Sequence, residues 1–123
     1  MNGNKLFLDT NILIYFLGGD DTLATFLNER VIYTSFITQM ELLSYSQLTP
    51  TEEQAIEQLL SQCVITDMTP EIKTEAIRLR KKYRLKLPDS IVMASAIYHE
   101  LPLVTSDKDF SKVEELRVIY YEK

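Results

Sequence analysis

Apolar positions open the chain in two blocks separated by a single acid. Leu6, Phe7 and Leu8 form an unbroken run, Asp9 interrupts it, and apolar residues resume from Ile12 to Leu17. The pattern predicts a short buried strand over Lys5–Asp9 and a buried helix from about Asn11 to Leu17. Gly18-Gly19-Asp20-Asp21 breaks that helix, and Thr22–Asn28 predicts a short second one. Val31–Ser35 is β-branched and aromatic, hence a strand, and a helix follows from Phe36 to about Leu48. Thr49-Pro50-Thr51-Glu52 is a helix start, with Thr as cap, Pro at the first position and Glu at the third. That helix predicts a face of Ala55, Ile56, Leu59, Leu60 and Cys63. Val64–Thr66 is a strand. Thr69-Pro70-Glu71 starts another helix with Ile72, Ala76, Leu79 and Tyr83 on one side. Pro88 opens a further apolar helix, "PLVTSD" is a strand, "FSKVEEL" a short helical or turn segment, and "RVIYY" a closing strand.

Strands alternate with helices, and the strands do not alternate polar with apolar. They are therefore buried on both faces, which predicts a parallel sheet covered by helices, an α/β fold in one domain over residues 1–123. In open sheets of this kind sites form beyond the carboxyl ends of the strands, where strand order reverses.

Composition narrows the class. The 123 residues suit one core, and the 46% hydrophobic content is that of a globular protein. No apolar run reaches the ~18 residues of a membrane span, and the first apolar run carries Asp9 and Asn11, so no secretory signal is read. A single cysteine, Cys63, excludes an internal disulfide and makes a reducing cytoplasm the expected setting. The lone His99 has no nucleophile pattern around it and is given no role. Net charge is −5, against a bulk polyanion binder, but the charge is uneven. Lys73–Lys86 holds seven basic residues and one acid, while the remainder holds six basic residues and seventeen acids. The basic strip reads equally as the solvated face of a helix or as a backbone contact for nucleic acid through Arg80, Lys81, Arg84 and Lys86.

The candidate chemistry lies in four acids that follow strands or open helices: Asp9, Glu41, Asp89 and Asp107, with Asp109 two residues on. Each has a structural reading. Asp9 and Asp107 can cap helices, Thr38-Gln39-Met40-Glu41 matches a capping box, and Asp89 suits a helix first turn. Apolar Met40, Leu42 and Leu43 around Glu41 predict that it is poorly solvated. Taken together, acids gathered at one crevice repel one another unless a cation binds. With no Cys/His set for zinc, oxygen ligands point to Mg²⁺ or Mn²⁺, and the chemistry suited to acids with such a metal is phosphoryl transfer or phosphodiester hydrolysis.

Four stretches, "LDTNILIY", Ser35-x-x-Thr38-x-x-Glu41-Leu42, "PDSIVMASA" and "LVTSDKDF", together resemble the signature stretches of PIN-domain ribonucleases, above all the VapC-like toxins of toxin–antitoxin pairs. The resemblance runs from Leu8 to Phe110 with the motifs in family order. It implies a three-layer α/β/α sandwich with about five parallel strands in the order 3-2-1-4-5, and an Mg²⁺- or Mn²⁺-dependent endoribonuclease leaving 5′-phosphate and 3′-hydroxyl ends. Asp9, Glu41, Asp89 and Asp107 carry over as catalytic, metal-binding acids. Thr10 and Asn11 carry over as orienting Asp9, Thr105 as supporting the site, and Asp109 as a residue behind it. The family often has a basic residue after Thr105, where this chain has Ser106. RNA and a small antitoxin are the implied partners. A homodimer is a further expectation, with Tyr15, Phe16 and Tyr83 read as core or dimer contacts.

Two other readings compete. A phosphoacceptor receiver-like module would use Asp67 after the third strand, with Lys108 nearby, but leaves Glu41 and Asp89 without a task. A catalytically inactive PIN-fold binding module does not need all four acids.

Overall fold

The structure is a computed structural model and describes residues 3–123. Five parallel strands run β1 (Lys5–Leu8), β2 (Val31–Ser35), β3 (Val64–Thr66), β4 (Leu103–Thr105) and β5 (Val118–Tyr120), in the order β3-β2-β1-β4-β5. Six helices connect them: α1 (Thr10–Leu17), α2 (Asp21–Leu27), α3 (Phe36–Leu43), α4 (Pro50–Ser61), α5 (Pro70–Tyr83) and α6 (Leu87–Tyr98). A 3₁₀ turn, Lys108–Lys112, leads from β4 towards β5. This is the α/β/α sandwich and strand order that the sequence implied.

The sheet divides the core in two. Leu6, Leu8 and Val104 face one side and meet Ile12, Leu13, Leu23, Leu42, Ile56 and Leu60 of α1 to α4. Phe7 and Leu103 face the other and meet Ile72, Ala76 and Leu79 of α5 and the apolar length of α6. Successive strand residues thus feed opposite layers, which is why β1 is apolar at each of its three buried positions, Leu6 to Leu8, before Asp9. Where the strands end, hydroxyls take over from the ladder. Thr34 donates to the Leu8 carbonyl at 2.9 Å and Thr66 donates to the Thr34 carbonyl at 3.3 Å.

Helix starts follow their sequence signals. Thr49 and Glu52 form a reciprocal capping box with Pro50 in the first turn, and Thr69 caps α5 ahead of Pro70. Of the face predicted for α4, Ile56 and Leu60 are the fully buried members. Helix α3 is shorter than the apolar pattern suggested. It stops at Leu43, and Ser44 turns its hydroxyl onto the Glu41 carbonyl. Ser and Tyr favour leaving a helix here, because Ser competes for backbone partners and an aromatic side chain loses rotamer freedom inside one. The start of α3 also decides the capping question: Ser35 is its cap, so Thr38 lies inside the helix and Thr38–Glu41 is no capping box. Helix α5 ends on Arg84 in the left-handed conformation, φ 57°, and leads into α6.

A polar clamp joins α5 to the segment before β5. Glu115 accepts from the Tyr83 hydroxyl at 2.6 Å, from Arg78 at 2.8 Å and from Lys82 at 3.3 Å. Tyr83 and then Arg78 hold the Glu115 carboxyl well below the usual range, at about 2. A carboxyl depressed on folding stabilises above its unfolded value and loses that contribution as pH falls through its folded value. Glu115→Gln should therefore cost a few tenths to about 1 kcal/mol at neutral pH. Between pH 4.5 and pH 2 the wild type should lose stability faster than the variant. Urea titrations across that window check both, and parallel curves would remove the clamp from the stability of the fold.

Candidate metal and nuclease site

Strand β1 sits at the centre of the sheet, with β2 on one side and β4 on the other. The side on which successive strands are added reverses there, and the crevice beyond the carboxyl ends of β1 and β4 is the expected place for a site. A cavity of about 360 Å³ opens at that edge, lined by Asp9, Glu41, Asp89 and Asp107, with Ile37 and Phe110 among its apolar walls. All four sequence-predicted acids reach it from different elements: the end of β1, α3, the first turn of α6 and the turn after β4.

Asp9 is the buried member, 8% exposed. One carboxylate oxygen accepts from the Ile12 amide at 3.3 Å and so caps α1. The other accepts from the Thr105 hydroxyl, whose oxygen in turn accepts from the Asp107 amide at 3.1 Å. Asp9 thus caps its helix and also faces the cavity. Burial pushes its carboxyl up to about 6 against these hydrogen bonds, with Asp89 and Asp107 adding repulsion. Asp89 is half-buried, and burial raises it as well. Asp107 and Glu41 push in the same direction, while Lys86 partly offsets them.

Glu41 departs from expectation. It is exposed, and so is its neighbour Met40 at 61%. The apolar residues around it did not imply burial because only Leu42 turns inward from that part of α3. Thr10 donates to Glu41 at 2.5 Å and lies 3.0 Å from the Thr38 hydroxyl. Thr10 is therefore committed to Glu41, and Asp9 is oriented by Thr105 and the Ile12 amide instead. Asn11 lines the cavity. Asp107 caps the 3₁₀ turn by accepting from the Asp109 amide at 2.9 Å; the Asp109 side chain is exposed and outside the cavity lining. Thr38 is fully buried inside α3, and its three-residue spacing from Glu41 is the sequence signal that both share a helix face.

The acids share the cavity without clustering. Among the described residues no three His, Cys, Asp or Glu side chains are grouped closely enough to hold one ion as they stand. Asp9, Glu41 and Asp107 are each turned to a hydrogen-bond donor of their own, as like charges at close quarters favour. Neither His nor Cys lines the cavity. His99 packs between Tyr33 and Tyr98, where burial pulls its imidazole down, and burial pushes the Cys63 thiol up to about 11. Asp67 follows the edge strand β3 and is not among the residues that line the cavity, so it does not join the four acids as a receiver-like arrangement would require.

In the basic strip, Arg78 pairs with Glu75 and Glu115, and Lys82 with Glu115. Arg80, Lys81, Arg84 and Lys86 are exposed and, among the described residues, form no ion pair. Lys86 precedes α6 and is the residue that draws charge towards the site, through its effect on Asp89. No helix is long and apolar enough to cross a membrane, among the described residues.

Residues 6–116 match the family model described as PIN domain. No curated protein sequence matches the chain. Among solved structures, a toxin–antitoxin complex from Klebsiella pneumoniae contains a chain 33% identical, with a TM-score of 0.83 covering 96% of this chain and 99% of that one. VapBC2 from Rickettsia felis, bound to a DNA fragment from its promoter, is 22% identical with a TM-score of 0.85 over 96% and 99%. DNA-bound VapBC from Salmonella typhimurium is 21% identical with a TM-score of 0.80 over 94% and 97%.

Repulsion at the cavity has a measurable sign. In chelator, Asp89→Asn should be neutral or stabilising by up to about 1 kcal/mol, because one of the mutually repelling charges is gone while the shape is kept. If Asp89 served only its helix dipole, the same change would instead cost a few tenths to about 1 kcal/mol. Thermal melts of the two proteins in chelator separate the two signs.

Proposed function

This chain belongs to the PIN-domain family and is VapC-like, and on that footing we propose that it is a divalent-metal-dependent endoribonuclease, the toxin of a toxin–antitoxin pair. The observation that carries the reading is that Asp9, Glu41, Asp89 and Asp107, drawn from four elements, line one cavity at the carboxyl edge of the sheet. The residues fit a hard cation. The cavity offers four carboxylates and neither His nor Cys, and Asp9 and Asp89 are both held above the usual range by burial and by their acidic neighbours, a repulsion that Mg²⁺ or Mn²⁺ relieves. When bound, the ion supplies stabilisation of charge developing on a phosphodiester and a water of lowered pKa.

The protein's own groups divide the remaining work. Asp9, fixed by the Thr105 hydroxyl and the Ile12 amide, offers a rigid oxygen. Asp107 is held at the lip by the Asp109 amide. Glu41 and Asp107 are exposed and Asp89 is half-buried; Glu41 or Asp89 can accept a proton from the attacking water. Arg80, Lys81, Arg84 and Lys86 run towards Asp89 as an unpaired positive strip and serve the backbone of single-stranded or loop RNA. The 123 residues act as one domain, in the cytoplasm, where the lone Cys63 stays a thiol.

The partner in this reading is a small antitoxin, as in the Klebsiella pneumoniae complex. An apolar groove of about 310 Å³ between α1, α3 and α4 supports it, lined by Ile14, Leu17, Leu42, Leu48 and Ile56, with Tyr45 shared between groove and cavity. A partner segment seated there leads directly to the acids. Exposed Met40 and Leu87, flanking the cavity on α3 and α6, provide apolar surface for a second copy of the chain.

Two measurements test the reading. Wild type should cut RNA with Mg²⁺ or Mn²⁺ and not with chelator, and Asp9→Asn and Asp89→Asn should each lose cleavage with unchanged far-UV circular dichroism. Metal should also raise the melting temperature of the wild type, by the equivalent of about 2.7 kcal/mol at a hundredfold excess over Kd, and Asp9→Asn should lose most of that gain. Full cleavage by either variant defeats the assignment. Separately, exchanging Arg80, Lys81 and Arg84 for Gln should weaken RNA binding and flatten its dependence on salt, since fewer counterions are released. An unaltered salt slope returns the strip to a solvated helix face.

A further inference from the structure

Glu41 is one of two exposed acids of the site, with Asp107, yet its carboxylate is not left to solvent. The Thr10 hydroxyl, one residue beyond Asp9, donates to it at 2.5 Å. Behind Thr10 lies Thr38, 0% exposed, with its hydroxyl oxygen 3.0 Å from that of Thr10. Distance alone does not say which hydroxyl donates, but proton counting does. A carboxylate only accepts, and a threonine hydroxyl carries one hydrogen. The Thr10 hydrogen is committed to Glu41, so the hydrogen between the two threonines belongs to Thr38. Thr10 is also the sole side-chain hydrogen-bond partner of the Thr38 hydroxyl among the described residues, and no buried side-chain polar atom among them lacks a partner.

We propose that Thr38 is a positioning residue for Glu41, acting through Thr10 by a one-way chain of hydroxyls, Thr38 to Thr10 to the Glu41 carboxylate. The arrangement follows from the helices that carry it. Thr38 and Glu41 share a face of α3, three residues apart, and Thr10 stands at the first position of α1, immediately after the capping Asp9. The chain of hydroxyls therefore ties α3 to the end of β1. It sets Glu41 relative to Asp9, the acid that Thr105 and the Ile12 amide already fix. An exposed glutamate otherwise samples many rotamers, and ordering one costs side-chain entropy that a relay anchored in the core meets in advance. Donation into Thr10 also strengthens its own donation to Glu41, since linked hydrogen bonds polarise one another.

The inference rests on the reading of Glu41 as a ligand of the site, so the test keeps the two apart. First, in the metal-free wild type, NMR should show a slowly exchanging hydroxyl proton on Thr38, close in space to Thr10; rapid exchange of that proton overturns the relay whatever the protein binds. Second, Mn²⁺ affinity should fall about tenfold in Thr38→Val, the scale typical of residues behind metal ligands, and return to near wild type in Thr38→Ser. Third, the double variant Thr10→Val with Thr38→Val should bind Mn²⁺ no more weakly than Thr10→Val alone, because both sit on one path. Losses that multiply, or Thr38→Val binding as wild type does, overturn the relay. If Thr38→Val does not fold, the hydroxyl proton and Thr38→Ser decide. A wild type that shows the protected proton but takes up no Mn²⁺ instead defeats the metal-site reading, and with it the positioning role.

Discussion

The organisation of this protein turns on one buried carboxylate. Asp9 stands where β1 ends and α1 begins, between two apolar elements that each belong to the core. A charge in that place costs several kcal/mol unless it is hydrogen-bonded or paired. The surroundings answer with two donors, the Ile12 amide and the Thr105 hydroxyl, and even so its carboxyl stays near 6. Thr105 is in turn fixed by its place at the end of β4, hydrogen-bonded in register beside β1. The need to accommodate Asp9 thus links the two central strands where they leave the sheet. The other acids are arranged about that point.

Much of this was visible in the chain itself. Unbroken apolar strands indicated a parallel sheet buried on both faces, and the capping signals at Thr49 and Thr69 placed two helix starts to the residue. The four acids were legible because each followed a strand or opened a helix, positions that a parallel sheet brings to one edge. What escaped was information carried by partners distant in sequence. The neighbours of Glu41 along α3 predict poor solvation, but which way α3 rolls on the sheet is set by packing. Thr10 was assigned to the adjacent Asp9, whereas its hydroxyl reaches Glu41, thirty-one residues away. The Glu115 clamp joins residues more than thirty apart, and nothing in local composition marks it. Helix α3 ended early because Ser44 found a backbone partner, an outcome periodicity does not register.

Threonine recurs wherever strands hand over to the site. Thr34 and Thr66 satisfy carbonyls at the ends of β1 and β2, Thr105 holds Asp9, and Thr10 and Thr38 reach Glu41. A β-branched side chain suits the strand end, and its restricted χ1 aims a hydroxyl with little entropy to lose. The same residue type therefore closes the sheet and orders the acids. A proposed metal site built in this way takes its precision from the fold and not from the acids, two of which lie open to solvent.

The central place of β1 bears on how the chain comes into being. Its partner on one side, β2, lies nearby in sequence, but its partner on the other, β4, spans Leu103–Thr105. A chain emerging from the ribosome can pair β1 with β2 early, yet the edge that carries Asp9 stays open until β4 has been made. Thr105 and Asp107 arrive in that same late segment, so a nascent chain has neither the donor that holds Asp9 nor the fourth acid. Long-range parallel pairing of this kind is slow and leaves strand edges exposed while it waits. The cavity consequently cannot be completed before β4 and the turn after it have been made, and translation that stops before β4 yields a fragment that lacks Thr105 and Asp107.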